Sequence, residues 1–196
     1  MHRIGIAILA AAALASAACS SSDVDSATAS LRLLLTDAPI DLPGVTAVNV
    51  NVESVTLYPD DASDGDDGAV PIAGGPISSP DGFTLNLLDF RDGKVTLLAT
   101  QAIPAGSYRR IRLHISEAEL ASDHDDNPAT ADLVEPIFIS SQKVDVPLPI
   151  TLSVGETLEV TLDFDAGASV HVNSTSGQHP YILRPVITPA GSRTAS

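Results

Sequence analysis

Apolar residues recur at every second position along most of this chain, and this period restricts it to β-structure. The clearest run extends over 158–164, where Leu158, Val160, Leu162 and Phe164 alternate with polar residues. Because successive side chains of a strand point to opposite faces, such a run predicts a strand with one buried face. Three further segments show the same alternation, with apolar positions Leu31, Leu33 and Leu35, then Val48, Val50 and Val52, then Ile111, Leu113 and Ile115.

The residues between these runs favour turns. The chain contains 14 prolines and 13 glycines, most of which lie between the predicted strands, and no long window after residue 30 keeps a helical period. Short strands separated by such turns are typical of sandwich folds. The sequence therefore predicts an all-β fold, a single antiparallel β-sandwich of immunoglobulin-like or transthyretin-like type with about eight or nine strands.

Two interruptions of the alternation carry structural information. Near Glu53 and Ser54 the apolar set moves from even to odd positions. One extra residue there, a β-bulge, keeps both sets on the same face. The run 144–152 contains Pro147 and Pro149, which cannot donate ladder hydrogen bonds, so it is predicted as an edge strand or connector.

A turn signal lies in the first half of the chain. Asp92 and Gly93 stand between the apolar runs 83–90 and 95–100. Asp-Gly flanked by apolar runs is typical of a tight hairpin, because both residues accept positive φ. These two runs are predicted to pair with each other.

The N-terminal segment predicts export and a lipid anchor. A positively charged start precedes an apolar run over 4–18 and the only cysteine, Cys19. The order is typical of a signal peptide, and the run is shorter than the roughly 20 residues of a membrane span. It resembles the signal of bacterial lipoproteins, which implies palmitate-type acylation of Cys19. Because lipoproteins prefer Leu, Val or Ile where Ser16 stands, cleavage after Ala17 without lipidation is the alternative.

These features divide the chain into four parts. We predict a signal peptide over 1–18, a lipidated cysteine with a flexible tether over 19–30, a β-sandwich domain over 31–190 and a disordered tail over 191–196. The predicted location is the cell envelope, with the protein held at a membrane and facing either the periplasm or the cell surface.

The charge excludes one class of partner. The chain has 10 Lys and Arg against 25 Asp and Glu, a formal net charge of −15. Such a surface repels phosphate backbones, so nucleic acid is not expected as a partner. Membrane contact is expected through the lipid anchor, and the remaining partner is an unidentified envelope protein or glycan.

Four motifs follow one another along the chain, namely Thr36-Asp37-Ala38-Pro39 and the segments 103–113, 162–170 and 181–187. We expect the Asp37 carboxylate to accept a backbone N–H at a strand end, and Tyr108 to cover an edge of the sandwich. The ordered set resembles the DUF4382 family of bacterial lipoprotein-type domains over roughly 31–188. The resemblance implies an extracytoplasmic β-sandwich of uncharacterised function and supplies no catalytic residues.

Two acidic loops are candidate calcium sites. Ca²⁺ takes six to eight oxygen ligands, and an Asp-x-Asp-x-Asn spacing points alternate side chains the same way. Pro128 stands where an EF-hand loop needs glycine, and the loop with Asp64 and Asp66 is shorter still, so neither loop is an EF-hand. The alternative is that both are solvated loops, and no other cofactor is expected. The candidate ligands are Asp64, Asp66, Asp123, Asp125 and Asn127.

No pattern in the chain favours catalysis. It lacks the Gly-x-Ser-x-Gly motif of a nucleophile elbow. Asp163 and Asp165 share one strand face and could be proposed as the two carboxylates of a glycoside hydrolase, but no aromatic-lined cleft is visible. We therefore predict that the protein is not an enzyme.

A basic stripe remains to be explained. Arg110, Arg112 and His114 share one strand face, and Glu159 and Asp163 share another. If the strands are neighbours, these charges pair across the ladder. The alternative is a cationic stripe that binds a ligand.

Together these patterns predict a non-enzymatic cell-envelope lipoprotein whose β-sandwich presents a binding or structural surface. Loops at the ends of the sandwich would make the contacts, because loops carry function on rigid scaffolds. The alternative from the acidic loops is a Ca²⁺-dependent carbohydrate-binding or adhesion module.

Overall fold

Most of the described residues lie in β-strands, as the alternation predicts. The computed structural model describes residues 27–38, 43–62, 67–123, 132–175, 177 and 179–195. Two 3-10 turns, Pro76–Ser78 and Leu87–Phe90, and one helical turn, α1 (Ala166–Ser169), interrupt the strands, and no helix in these ranges is long and apolar enough to cross a membrane. The strands are β1 (Thr28–Thr36), β2 (Val45–Pro59), β3 (Val70–Ile72), β4 (Phe83–Asn86), β5 (Thr96–Pro104), β6 (Gly106–Ser122), β7 (Leu133–Pro136), β8 (Phe138–Ile139), β9 (Lys143–Leu152), β10 (Thr157–Phe164), β11 (Val170–Val172), β12 (Tyr181–Leu183) and β13 (Ile187–Ala195).

The strands form two main sheets and one small sheet. Sheet A has the order β13-β10-β1-β5. Sheet B is built on the β2–β6 pair, with β3 and β4 on the free side of β2 and with β7 and β9 on the free side of β6. Sheet C has the order β11-β12-β8. The all-β sandwich is confirmed, although β1 and β10 pair in parallel, as do β8 and β12.

The predicted alternation fills one core. Inward side chains of both main sheets belong to a single hydrophobic cluster, which includes Leu33 and Leu162 of sheet A and Val50 and Leu113 of sheet B, all with no exposed surface. Burying one such side chain contributes roughly 1.5–3 kcal/mol. The shared core is what holds the two sheets face to face.

The predicted β-bulge is confirmed, and a second bulge lies close to it on the facing strand. In the β2–β6 pair, Val52 lies opposite Ile115 and Ser54 lies opposite His114, so Glu53 is the extra residue. Asn51 lies opposite Glu117, which makes Ser116 a second extra residue on β6. The two bulges keep the apolar side chains of both strands on the core side.

The predicted edge strand is also confirmed. β9 pairs with β6 and with no other strand of the described residues. Pro147 and Pro149 are exposed, with Val146 and Leu148 buried between them. Because the prolines cannot extend the ladder, they suit the outer edge of sheet B.

The predicted hairpin is wrong. Asp92 and Gly93 do form a tight turn, with φ of 61° and 78°, and Lys94 donates to the Arg91 carbonyl at 3.3 Å. However, β4 pairs with β2 in sheet B and β5 pairs with β1 in sheet A. The buried 3-10 turn Leu87–Phe90 lies between β4 and the turn, so this connection carries the chain from one sheet to the other.

Both ends of the predicted domain are revised. β1 begins at Thr28 instead of 31, because Thr28 and Ala29 already pair with β5. β13 continues to Ala195, so the predicted tail over 191–196 belongs to sheet A as far as Ala195. The small and polar residues at 28–30 and 191–195 led to the prediction of a tether and a tail, but they lie in paired strands.

Tyr108 closes the turn between β5 and β6. Its side chain is buried, and its hydroxyl donates to the Pro104 carbonyl at 2.6 Å. The bond ties the start of β6 to the end of β5, in the manner of a tyrosine corner. The prediction that Tyr108 covers an edge is wrong, because Tyr108 pairs with Pro59 of β2 on one side and with Ile150 of β9 on the other.

We expect Tyr108→Phe to lower the free energy of unfolding by about 1 kcal/mol, since a buried hydrogen bond is lost and the carbonyl is left unpaired. Urea denaturation measures the change. Tyr181→Phe is the matched control, because the Tyr181 hydroxyl makes no hydrogen bond within the described residues. Equal stability of the two variants would contradict a structural role for the Tyr108 hydroxyl.

Candidate functional site

The motif carboxylates lie at neighbouring ends of β1 and β10. The Ala166 N–H donates to Asp37 Oδ1 at 2.9 Å, and the Ala38 N–H bonds the Asp163 carboxylate in return. Asp165 accepts from the Ala168 N–H at 2.8 Å and begins the helical turn α1. The expected contact of Asp37 with a backbone N–H is therefore present, and the reciprocal bonds of Asp37 and Asp163 join the two parallel strand ends, which we call the Asp37 lock.

Burial alters the chemistry of this lock. Only 2% of Asp37 is exposed, and burial, followed by the nearby negative charges of Asp163 and Asp165, raises its pKa to about 6. Burial and the charge of Asp165 also raise the pKa of Asp163. Asp37 Oδ2 and Asp163 Oδ1 have no hydrogen-bond partner in the described part of the chain. Asp37 therefore holds its proton more tightly than an exposed carboxylate does.

The basic stripe does not pair with the predicted strand. β6 is a neighbour of β2 and β9 and not of β10, so the pairing of the stripe with Glu159 and Asp163 is wrong. Glu159 instead pairs with Arg32 and Arg193 on its own neighbours in sheet A. Cross-strand charge pairing occurs in both sheets, but with partners that the alternation could not identify.

On β9, Asp145 organises the two arginines of the stripe. Arg112 Nε and Nη2 donate to its two oxygens at 2.7 and 2.9 Å, and Arg110 Nη1 lies 3.5 Å from Asp145 Oδ2. The bond from Arg112 lowers the pKa of Asp145, which is therefore a fixed anion. A bidentate pair of this kind fixes the plane of the guanidinium group.

Tyr58 supports the same arginines from below. The guanidinium carbons of Arg110 and Arg112 lie 4.1 and 5.0 Å from the centre of its ring, and Arg112 Nη1 donates to its hydroxyl at 2.9 Å. Stacking on an aromatic face orients the cations and covers the ring. The two arginines are thus held in place before any ligand arrives.

A cavity of about 340 Å³ opens beside these arginines on the outer face of sheet B. We call it the basic groove. His114 at its side pairs with Glu53 through Nδ1 at 2.8 Å. Arg112 and Lys143 line the groove, and no Asp or Glu side chain is among its lining residues. The polar lining residues are Ser54, Thr56, Tyr58, Arg112, His114 and Lys143.

A second cavity, of about 560 Å³, lies farther along β6. We call it the aromatic cavity. Phe138 on β8 is 48% exposed in it, and its ring centre lies 4.9 Å from that of His179. Its polar lining side chains include Ser116, Glu117, Glu119 and Gln142.

The predicted metal and lipid sites lie mostly beyond the described residues. Cys19, Asp64, Asp66, Asp125 and Asn127 fall outside them. The fifth calcium candidate, Asp123, is described at the end of β6, where its backbone N–H donates to the Gly44 carbonyl at 2.9 Å. No group of three or more His, Cys, Asp or Glu in the described ranges is arranged to hold a metal ion.

Four residues of this face escaped the sequence analysis. Tyr58, Phe138, Lys143 and Asp145 come from three different strands, and none lies in a motif. A signal existed for Lys143 and Asp145, because both occupy the exposed phase of β9. The other two sit at the end of one strand and on a two-residue strand, where alternation carries little information.

The fold and its polar sheet face define an all-β sandwich with a preorganised cationic site. The chain belongs to the family described as "Domain of unknown function (DUF4382)", which it matches over residues 28–185. No curated protein and no solved structure matches the chain. The match begins at the first residue of β1 and ends just after β12, so it covers both cavities.

The Asp37 lock predicts that stability falls as pH rises. Asp37 holds its proton more tightly in the folded chain, with a pKa of about 6 against 3.8, so the free energy of unfolding decreases between about pH 4 and pH 6. Asp37→Asn keeps an oxygen for the Ala166 N–H and carries no charge. We expect it to be more stable than the wild type at pH 7.5, by at most about 3 kcal/mol, with the difference shrinking toward pH 4.

Thermal melts from pH 4 to pH 8 measure this effect. Asp92→Asn, in the exposed turn before β5, is the control and should melt with the pH dependence of the wild type. An Asp37→Asn protein that is less stable at pH 7.5, with an unchanged pH dependence, would show that the ionised carboxylate stabilises the strand ends.

Proposed function

We propose that this protein is a non-enzymatic, lipid-anchored binding domain of the bacterial cell envelope, which holds an anionic group of its ligand in the basic groove. One observation carries the proposal: cations that are already oriented stand beside an open cavity on an otherwise acidic protein. Two of the ten Lys and Arg residues of the chain, Arg112 and Lys143, line this cavity, and Arg110 contacts the same carboxylate as Arg112, against a net charge of −15.

The geometry of the groove suits an anion. Asp145 and Tyr58 hold Arg112 in a single orientation, so little conformational entropy is lost when a ligand binds. Lys143 makes no ion pair of its own within the described residues, and its ammonium group is left to contact the ligand. The hydroxyls of Ser54 and Thr56 add neutral donors. A phosphate or carboxylate would receive charge-assisted hydrogen bonds from such a set.

The size of the groove limits what enters it. Ligand cavities typically measure about 300–1,000 Å³, and 340 Å³ is near the lower limit. One small anionic group fits this volume better than a whole polymer. The excess of acidic residues elsewhere would also slow the approach of dense polyanions.

The predicted anchor would hold the domain near a membrane. The residues between Cys19 and β1, which starts at Thr28, can span at most about 29 Å. Two or more acyl chains hold a protein at a membrane where a single chain does not. An anchored domain with a short reach samples ligands close to its own membrane surface.

The anchor predicts a labelling experiment. Cells that express the full chain should incorporate radiolabelled palmitate into the wild-type protein and into the Ser20→Ala control, and Cys19→Ala should abolish the label. Label that persists in Cys19→Ala, or a wild-type protein released without label after cleavage at Ala17, would overturn the lipid anchor.

The groove predicts a binding experiment. Calorimetry with glucuronate or inorganic phosphate should detect binding that weakens as salt is added. Lys143→Ala should weaken it about tenfold, since a charged hydrogen bond is lost. Lys94→Ala, which removes an exposed cation from the turn before β5, is the matched control. Equal affinities of the two variants, or no binding of either probe, would contradict the groove as the site.

A further inference from the structure

The basic groove and the aromatic cavity are neighbours on one sheet face. His114 lines the groove and Ser116 lines the cavity. They are two residues apart on β6, about 7 Å along the strand. Opposite them, Gln142 lines the cavity and Lys143 lines the groove. One extended ligand that follows β6 would therefore enter both.

The aromatic cavity has the components of a sugar-binding site. Phe138 presents nearly half of its surface, and the ring of His179 packs against it at an interplanar angle of 37°. The other described Phe and Tyr side chains are buried or partly buried, Tyr58, Tyr108 and Phe164 among them. An exposed ring with a polar rim is typical of a binding surface.

The polar rim matches hydroxyl groups. Glu117 and Glu119 are exposed, and their carboxylates are acceptors, while the Gln142 amide both donates and accepts. A sugar ring offers an apolar C–H face to Phe138 and hydroxyl groups at its edge to these side chains. The two carboxylates repel a second anion, so the cavity favours an uncharged sugar unit.

We propose that the ligand is a glycan in which a neutral sugar stacks on Phe138 and an adjacent unit places its carboxylate or phosphate in the basic groove. This inference rests on the proposed function of the groove and adds the class of ligand. On β6, Arg112 of the groove is followed by Glu117 and Glu119 of the aromatic cavity. A glycan that alternates acidic and neutral units would place an acidic unit beside Arg112 and a neutral unit beside the two carboxylates. A neutral glycan has no anionic group for the basic groove, and a polyanion without sugar has no ring to stack on Phe138.

Three probes and the full-length protein test the proposal. Calorimetry compares an alternating glucuronate–N-acetylglucosamine octasaccharide, a neutral N-acetylglucosamine hexasaccharide and inorganic polyphosphate. We expect the octasaccharide to bind most tightly. Phe138→Ala should weaken its binding roughly tenfold and leave polyphosphate binding unchanged, whereas Lys143→Ala should weaken both.

Two further variants keep the test decisive. Val134→Ala removes an exposed apolar side chain from β7, outside the cavity, and should bind as the wild type does. Phe138→Trp keeps a stacking surface and should retain binding, so a loss confined to Phe138→Ala cannot be assigned to misfolding.

The outcomes separate the two proposals. If polyphosphate and the octasaccharide bind equally and Phe138→Ala changes neither, the glycan inference fails and the anion groove stands. If only the neutral hexasaccharide binds and Lys143→Ala has no effect, the groove proposal fails and so does the mixed-ligand inference. If no probe binds, both are overturned.

Discussion

The antiparallel pairing of β2 with β6 is the interaction on which the rest of the structure depends. These are the longest strands of the described chain, with 15 and 17 residues, and they pair from Val45–Ser122 to Pro59–Tyr108. Every other strand of sheet B attaches to one of them. Their inner face supplies 11 of the 34 buried residues of the core cluster, and their outer face borders both cavities. A shift of one residue in this pairing would exchange the two faces.

The two bulges explain how such a long pair keeps one apolar face. Each inserts one residue, Glu53 on β2 and Ser116 on β6, and their nearness lets both strands change phase together. The same place divides the outer face. Arg112 and His114 precede the bulge on β6, and Glu117 and Glu119 follow it. Packing of the core therefore sets the boundary between the basic groove and the aromatic cavity.

Local sequence patterns correctly predicted the structural features that depend on residues close together in the chain. The bulge at Glu53, the edge position of Pro147 and the backbone contact of Asp37 follow from phase, proline chemistry and strand ends. These local patterns could not predict which segments far apart in the chain pair with each other. The turn at Asp92 has hairpin geometry, yet the sheet that each flanking strand joins is decided by burial of Leu87 and by partners far along the chain. Arg112 and Asp145 likewise meet only because β9 returns to β6.

The most direct test of the account is to map a ligand onto the β6 face. Amide chemical-shift perturbation by NMR, with the alternating octasaccharide added to uniformly ¹⁵N-labelled protein, reports where it binds. The account predicts perturbations confined to β6 from 112 to 119, to β2 from 54 to 58, to the segment 138–143 and to His179, with the strand ends near Asp37 unaffected. Perturbations centred on sheet A, or spread evenly over the chain, would contradict the claim that the outer face of sheet B is the binding surface.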